Sequence, residues 1–283
     1  MNESPFQRIR YERADPAVIR IVLARPETRN AQDKQMLYEL NDAFDRAAAD
    51  ETVRVIILAA DGPHFSSGHD LRDLRNPMSD HDPVGTWREY DKPAAEGYLA
   101  IEQEIYLGLC WRWRNIPKPT IAEVHGKVIA GGLMLVWPCD LIVASDDAEF
   151  SDPVVALGVN GCEYFVHPYE LGARKAKEML FTGRAISATE AAALGMVNKV
   201  VPRARLKHET LELARQIAAR PSFGLKLAKM AVNHALDAQG LHSTLQAALG
   251  WHHLGHAHNR EVHGKLIDPS GVSAIRRGPK SEE

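Results

Sequence analysis

The run Val53-Arg54-Val55-Ile56-Ile57-Leu58-Ala59-Ala60 constrains this chain more than any other stretch. It is almost continuously apolar and is stopped by the turn residues Asp61-Gly62-Pro63, so it reads as a strand covered on both faces. Such a strand needs parallel neighbours, with helices packed on the sheet. Val18 to Ala24 is rich in β-branched residues and ends at Arg25-Pro26, where proline stops a ladder; it reads as the strand alongside. Between the two, Gln32 to Asp50 sets Met36, Leu40, Ala43, Phe44 and Ala47 at helical spacing. The unit is strand, helix, strand. Thr120 to Val124 and Leu141 to Ala144 read as a third and a fourth strand around the apolar segment Ile129 to Trp137, which implies a second crossover.

Helical spacing returns in Glu96 to Arg114, through Tyr98, Ile101, Ile105, Leu109 and Trp113, and ends before Pro117 and Pro119. Arg75 to Lys92, with its prolines, glycine and scattered charges, has no sustained period and reads as a mobile loop. Ser187-Ala188-Thr189-Glu190 matches a capping box whose helix closes at Gly195, before the short strand MVNKVV. Beyond Pro202 the pattern is helical: Leu206 to Ala219, Ser222 to Leu236, and Leu241 to about His258. The expected organisation is an α/β body over residues 1–205, carrying the site, and a helical region over 206–283.

With 283 residues, 45% hydrophobic and 25% charged, the chain can bury a sizeable core. A formal charge of -3 argues against non-specific attraction to nucleic acid or to an anionic membrane, and leaves room for specific anionic pockets. No basic flank leads into an apolar run at the start, MNESPFQRIRYERAD, and no stretch reads as a membrane span, so a soluble cytoplasmic protein is expected. Cys110, Cys139 and Cys162 form no CxxC pair, which suits a reducing compartment; Cys162 reads as a packing residue rather than a nucleophile.

Two glycine-bearing turns carry the chemistry. Phe65-Ser66-Ser67-Gly68-His69-Asp70 follows VRVIILAA, and His125 to Leu135 (HGKVIAGGLML) follows TIAEV and opens a helix. An acyl thioester becomes reactive when charge can collect on its carbonyl oxygen, and two converging backbone N–H groups in a water-poor site stabilise that charge. Close approach of backbone to ligand favours glycine, and a helix amino end adds positive potential.

In order and spacing, RPETRNAQ, HFSSGHDL, HGKVIAGGLML, CDLIVASDDAEFSDP and ARKAKEMLFTGRAISATEAAALGMVNKVVP resemble the crotonase superfamily of enoyl-CoA hydratases and isomerases. The resemblance implies a spiral of ββα repeats and a carboxy-terminal helical region used in trimerisation. It further implies a homotrimer or a hexamer of two trimers, and an acyl-CoA substrate whose coenzyme A is the only cofactor-like group. Carried over residue by residue, the oxyanion donors fall on the N–H of His69 and of Gly131, with Ala130 at the family's preceding glycine. Glu27, Thr28 and Arg29 fall where the family touches CoA, beside Ser67 and Asp70 of the first turn, and Arg72 falls where a basic residue approaches the CoA phosphates.

The chain departs from the hydratase pattern at both proton-handling glutamates, which align with Met134 and Val154. Neither side chain moves a proton. Replacement groups are sought in the segment after Gly158, where Glu163 and His167 stand four apart and would share a helix face as a carboxylate-imidazole pair, or as a solvent-facing one. Asp152 and Glu104 are weaker candidates, and the His69 ring reads as a shape filler. His252 and His256 also stand four apart, but no HExxH glutamate and no matched third ligand accompany them. A helix surface or subunit contact is the better account, and no metal ligand is assigned. Trp111 and Trp113 read as core, and the absence of Gly-x-Ser-x-Gly sets aside a serine hydrolase. The expected activity is enolate stabilisation with double-bond isomerisation or a variant hydration; the alternative is a protein that binds acyl-CoA without turning it over.

Overall fold

Alternation along buried strands divides the core into two faces, and the computed structural model, which describes residues 6–73 and 78–277, shows both. Strand β1 (Ile9–Asp15) pairs antiparallel with β2 (Val18–Leu23), and β2 pairs parallel with β3 (Val55–Ala60). Helix α1 (Lys34–Ala49) crosses between β2 and β3, its amino end capped by Asp33, whose side chain accepts from the Met36 N–H at 2.8 Å. Helix α2 (Ala95–Glu102) runs through a wide π-helical turn (Gln103–Gly108) into α3 (Leu109–Arg114). Parallel strands β4 (Thr120–Val124), β6 (Leu141–Ser145) and β9 (Lys199–Val201) complete a six-stranded sheet in the order β1-β2-β3-β4-β6-β9. A second sheet of β5 (Lys127–Ile129), β7 (Glu149–Ser151) and β8 (Ile186–Ser187) stands beside it in the order β5-β7-β8.

Ile56, Leu58 and Ala60 of β3 join Ile19, Ile21 and Leu23 of β2 in the large core under α1. Val55, Ile57 and Ala59 join Val18 and Val22 on the opposite face, which is covered by Leu206 and Ala214 of α7 (Leu206–Ala218). The cut expected at residue 206 therefore falls at the start of a helix that packs on the main sheet. On that face Arg20 of β2 is buried and donates to Glu123 of β4 at 2.6 Å, across the intervening β3. A buried guanidinium requires such a partner.

The short helix α4 (Leu133–Val136) follows the second glycine turn, and α5 (His167–Thr182) and α6 (Ala188–Ala193) follow β7 and β8. Ser187 caps α6 by accepting from Glu190 N–H at 3.1 Å; the Glu190 carboxylate turns instead to Lys175, so half of the expected capping box is made. Helices α8 (Ser222–Ala238), α9 (Leu241–His263) and α10 (Pro269–Arg277) form the carboxy-terminal region. Of the loop expected over 75–92, residues 75–77 lie outside the described residues. The rest is tied down at Val84 and Gly85, whose N–H groups donate to the Glu104 carboxylate at 2.6 and 3.0 Å. Glu104 is thus a loop anchor. Among the described residues no helix is long and apolar enough to cross a membrane.

Candidate active site

The two glycine turns are joined by strand-like pairing before any ligand is considered. Ser66 N–H donates to Lys127 O at 3.2 Å and Ile129 N–H to Ser66 O at 3.0 Å, which places one turn against the other. Gln32 braces them: its N–H donates to Gly68 O and its carbonyl accepts from Asp70 N–H, both at 2.8 Å, while its side-chain Nε2 donates to Gly131 O at 2.8 Å. Because Gln32 uses Gly68 and Asp70, the N–H of His69 between them faces the other way. Gly131 sits at the start of a helical turn, where N–H groups have no partner within the helix. Gly68 has φ +89°, and a Cβ there would lie 2.8 Å from Ile129 O and 3.1 Å from Gly131 N. A Cβ on Gly131 would lie 2.7 Å from the His69 ring. The contact between the turns thus depends on two absent side chains.

The His69 ring is no filler. It stacks on Tyr106 with centroids 3.9 Å apart, and its Nε2 lies 3.1 Å from Glu163 Oε2. Burial disfavours charge on both groups, yet their mutual attraction outweighs it: the imidazole is held above its usual pKa and the carboxyl below its own. The pairing expected within the segment 163–167 is corrected by the same geometry. Glu163 precedes α5, which begins at His167, so the two share no helix face. His167 is fully buried and its Nε2 meets Asp152 at 2.8 Å, while Asp152 also accepts from Cys162 N–H at 2.8 Å. Burial raises the Asp152 carboxyl pKa, and His167 with the backbone donors more than reverses this, leaving it lowered. His167 and Asp152 therefore fasten the segment that presents Glu163.

Gly131, His69 and Glu163 all line one cleft, which holds about 820 Å³ of empty space including its mouth. Ile101, Ile105, Leu157 and Val159 supply apolar wall, and Val154 lines it where a hydratase glutamate was sought. Met134 lies buried in the core. The residues expected against CoA gather nearby: Pro26–Thr28 form a single turn, Arg29 follows in left-handed conformation, and Ser67 N–H donates to Arg29 O at 3.0 Å. Glu27 and Arg29 are exposed. Asp70 is buried and accepts from Arg72 Nε at 3.0 Å and from Arg25 at 3.4 Å; the Arg72 side chain remains largely exposed.

Sequence reasoning missed the opposite wall. His252 and His256 are not surface residues in this fold; both are buried and line the cleft with Glu102 of α2. A signal was present, since Leu241, Leu245, Leu249, His252, His256 and Asn259 continue one inward stripe of α9.

A spiral α/β body whose paired glycine turns open on such a cleft is the crotonase architecture, and a profile of the family described as "Enoyl-CoA hydratase/isomerase" matches residues 13–264. The chain belongs to the enoyl-CoA hydratase/isomerase family. It is 47% identical over 266 residues to the enoyl-CoA hydratase-named EchA13 of Mycobacterium tuberculosis, covering 92% of this chain and 84% of that one. It is 32% identical to 4-chlorobenzoyl coenzyme A dehalogenase-2 of an Arthrobacter species, covering 78% and 76%. Among solved structures, a probable enoyl-CoA hydratase from Mycobacterium smegmatis superposes with a TM-score of 0.83 at 48% identity, covering 92% of this chain and 99% of that one.

Proposed function

We propose that this chain is an acyl-CoA enzyme that stabilises an enolate between the N–H groups of His69 and Gly131 and moves the proton with Glu163, shifting a double bond or carrying out a variant hydration. The observation that carries this reading is the His69–Glu163 pair, 3.1 Å apart, in the same cleft as Gly131. Val154 leaves no second carboxylate at the usual hydratase position. One carboxylate suffices for isomerisation. Glu163 takes the Cα proton of a 3-enoyl thioester, the electron pair delocalises onto the thioester oxygen, and the same proton returns at Cγ. The His69 ring holds Glu163 ionised and oriented meanwhile.

We place the CoA portion against Glu27, Thr28, Arg29, Ser67 and Arg72; the Ser67 N–H bond to Arg29 O ties the first group to the glycine turn, and Asp70 is the buried anchor of Arg72. Coenzyme A enters as part of the substrate. The exposed apolar stripe Phe223, Leu227 and Met230 on α8 supports a homotrimer, alone or stacked as a hexamer.

Turnover of 2-enoyl-CoA and 3-enoyl-CoA by Glu163→Gln tests the reading. The expected loss in kcat is about 10²- to 10⁴-fold with CoA binding retained. Undiminished turnover removes Glu163 from the reaction, and tight CoA binding by a parent that converts neither substrate selects the binding-only alternative.

A further inference from the structure

The wall of the cleft facing the glycine turns holds more polar chemistry than the proposed reaction uses. Glu102, His252 and His256 are each more than nine-tenths buried. His252 Nδ1 lies 2.9 Å from Gly161 O, and His256 Nδ1 lies 2.7 Å from Leu266 O. A carbonyl can only accept, so each Nδ1 carries a proton and each ring turns its Nε2 to the opposite side. That is the way metal-binding imidazoles are held, with the second nitrogen fixed by a backbone carbonyl. Both Nε2 atoms face one carboxylate: His256 Nε2 is 3.3 Å from Glu102 Oε1 and His252 Nε2 is 3.9 Å from Glu102 Oε2. One ligand atom from each of the three residues falls within 4.8 Å of the others. Ligand atoms around a four-coordinate zinc stand about 3.3 Å apart, given bonds of ~2.0–2.1 Å.

A second observation points the same way. Glu102 Oε2 is buried with His253 Nε2 3.0 Å away and His252 Nε2 3.9 Å away, so three imidazoles crowd one enclosed carboxylate. A buried carboxylate enclosed by imidazole nitrogens is costly unless positive charge joins them.

We infer that Glu102, His252 and His256 form a site for a divalent first-row transition-metal ion such as zinc, with its remaining coordination directed into the acyl cleft. The donor set is two imidazoles and one carboxylate, which suits zinc and its neighbours and is poor in oxygen for calcium or magnesium. Access is through the cleft, whose lining includes all three residues. Glu163 Oε1, 3.7 Å from His252 Nε2, borders the site. The inference is independent of the reaction proposed above, since it concerns binding alone.

The test uses the full chain without a polyhistidine tag, stripped with EDTA, dialysed, and titrated with zinc chloride by calorimetry. The expected result is about one zinc per chain. Glu102→Gln and His256→Asn should each weaken binding at least ~10-fold, while His258→Ala, on the exposed face of the same helix, leaves it unchanged. Cobalt(II) should give the parent the visible ligand-field bands of a low-coordinate nitrogen and oxygen site. Absence of zinc uptake and of those bands in the folded parent overturns the inference without any variant. Uptake unaltered in folded Glu102→Gln and His256→Asn overturns it as well.

Discussion

Ala130 has φ +48°, a left-handed conformation, at the position where the family resemblance places a glycine. An L-residue there is strained by about 1–2 kcal/mol, whereas glycine adopts it freely but gives the unfolded chain more freedom. The two effects leave a net gain of up to about 1 kcal/mol for Ala130→Gly, the reverse of the loss usual when alanine becomes glycine. Urea unfolding measures it; a loss of about 1 kcal/mol would mean the turn is unstrained. At this scale the backbone of the site was legible and its side-chain partnerships were not. Gly68, His69 and Gly131 follow strands that announce themselves by apolar runs, so the turns could be placed. The partner of the His69 ring stands 94 residues away at Glu163, and no local pattern links the two. Chain spacing suggested His167 instead, on the assumption of a helix that begins only at His167 itself.

Among the elements, the strands covered on both faces were read within a residue or two, because burial on two sides writes itself as a continuous apolar run. Strands β1, β5, β7 and β8 escaped notice. Tyr11 and Ile9 alternate with charged residues in β1, and β5 and β7 have three residues each, too few for a period to show. The joint between β7 and α5 is a place where an element depends on one ion pair. Asp152 is wholly buried and bonded to His167 and to the backbone of Cys162 and Val154, with the Cys162 thiol as the other titratable group against it. Its pKa is depressed in the folded protein, so its stabilising contribution is present above its ordinary value of 3.8 and disappears as pH falls through the folded value. Asp152→Asn should lose about 3 kcal/mol at neutral pH and show a smaller further loss between neutral and acid pH than the parent. Thermal melts of both proteins at several pH values measure this; identical acid profiles would show that Asp152 is not the titrating group.

For the whole molecule, the helical carboxy-terminal third was legible from its 3.6-residue spacing, but its division from the body was less distinct than that change of pattern suggested. Helix α7 closes one face of the main sheet, and α9 closes the cleft. What remains uncovered is apolar: Phe223, Leu227 and Met230 on α8 are 68%, 49% and 59% exposed, and Trp251 and Leu254 on α9 are 63% and 67% exposed. Subunit association would bury these surfaces. If the proposed trimer or hexamer forms through this face, Leu227→Lys combined with Met230→Lys should lower the mass to that of a monomer in light scattering after size exclusion, with the far-ultraviolet spectrum unchanged. An unchanged mass would place the interface elsewhere.

The cleft is built from two kinds of wall. One side is backbone, locked by pairing between β-strand ends and by Gln32; the far side is side chains on α2, α9 and the segment at Leu266 and Ile267. Replacements at Tyr98, Ile101 or Leu266 can resize the space offered to an acyl group while the strand registers stay as they are. The fold thus separates a wall fixed by main-chain pairing from a wall of replaceable side chains, and the size of the space can change while the paired turns stay where they are.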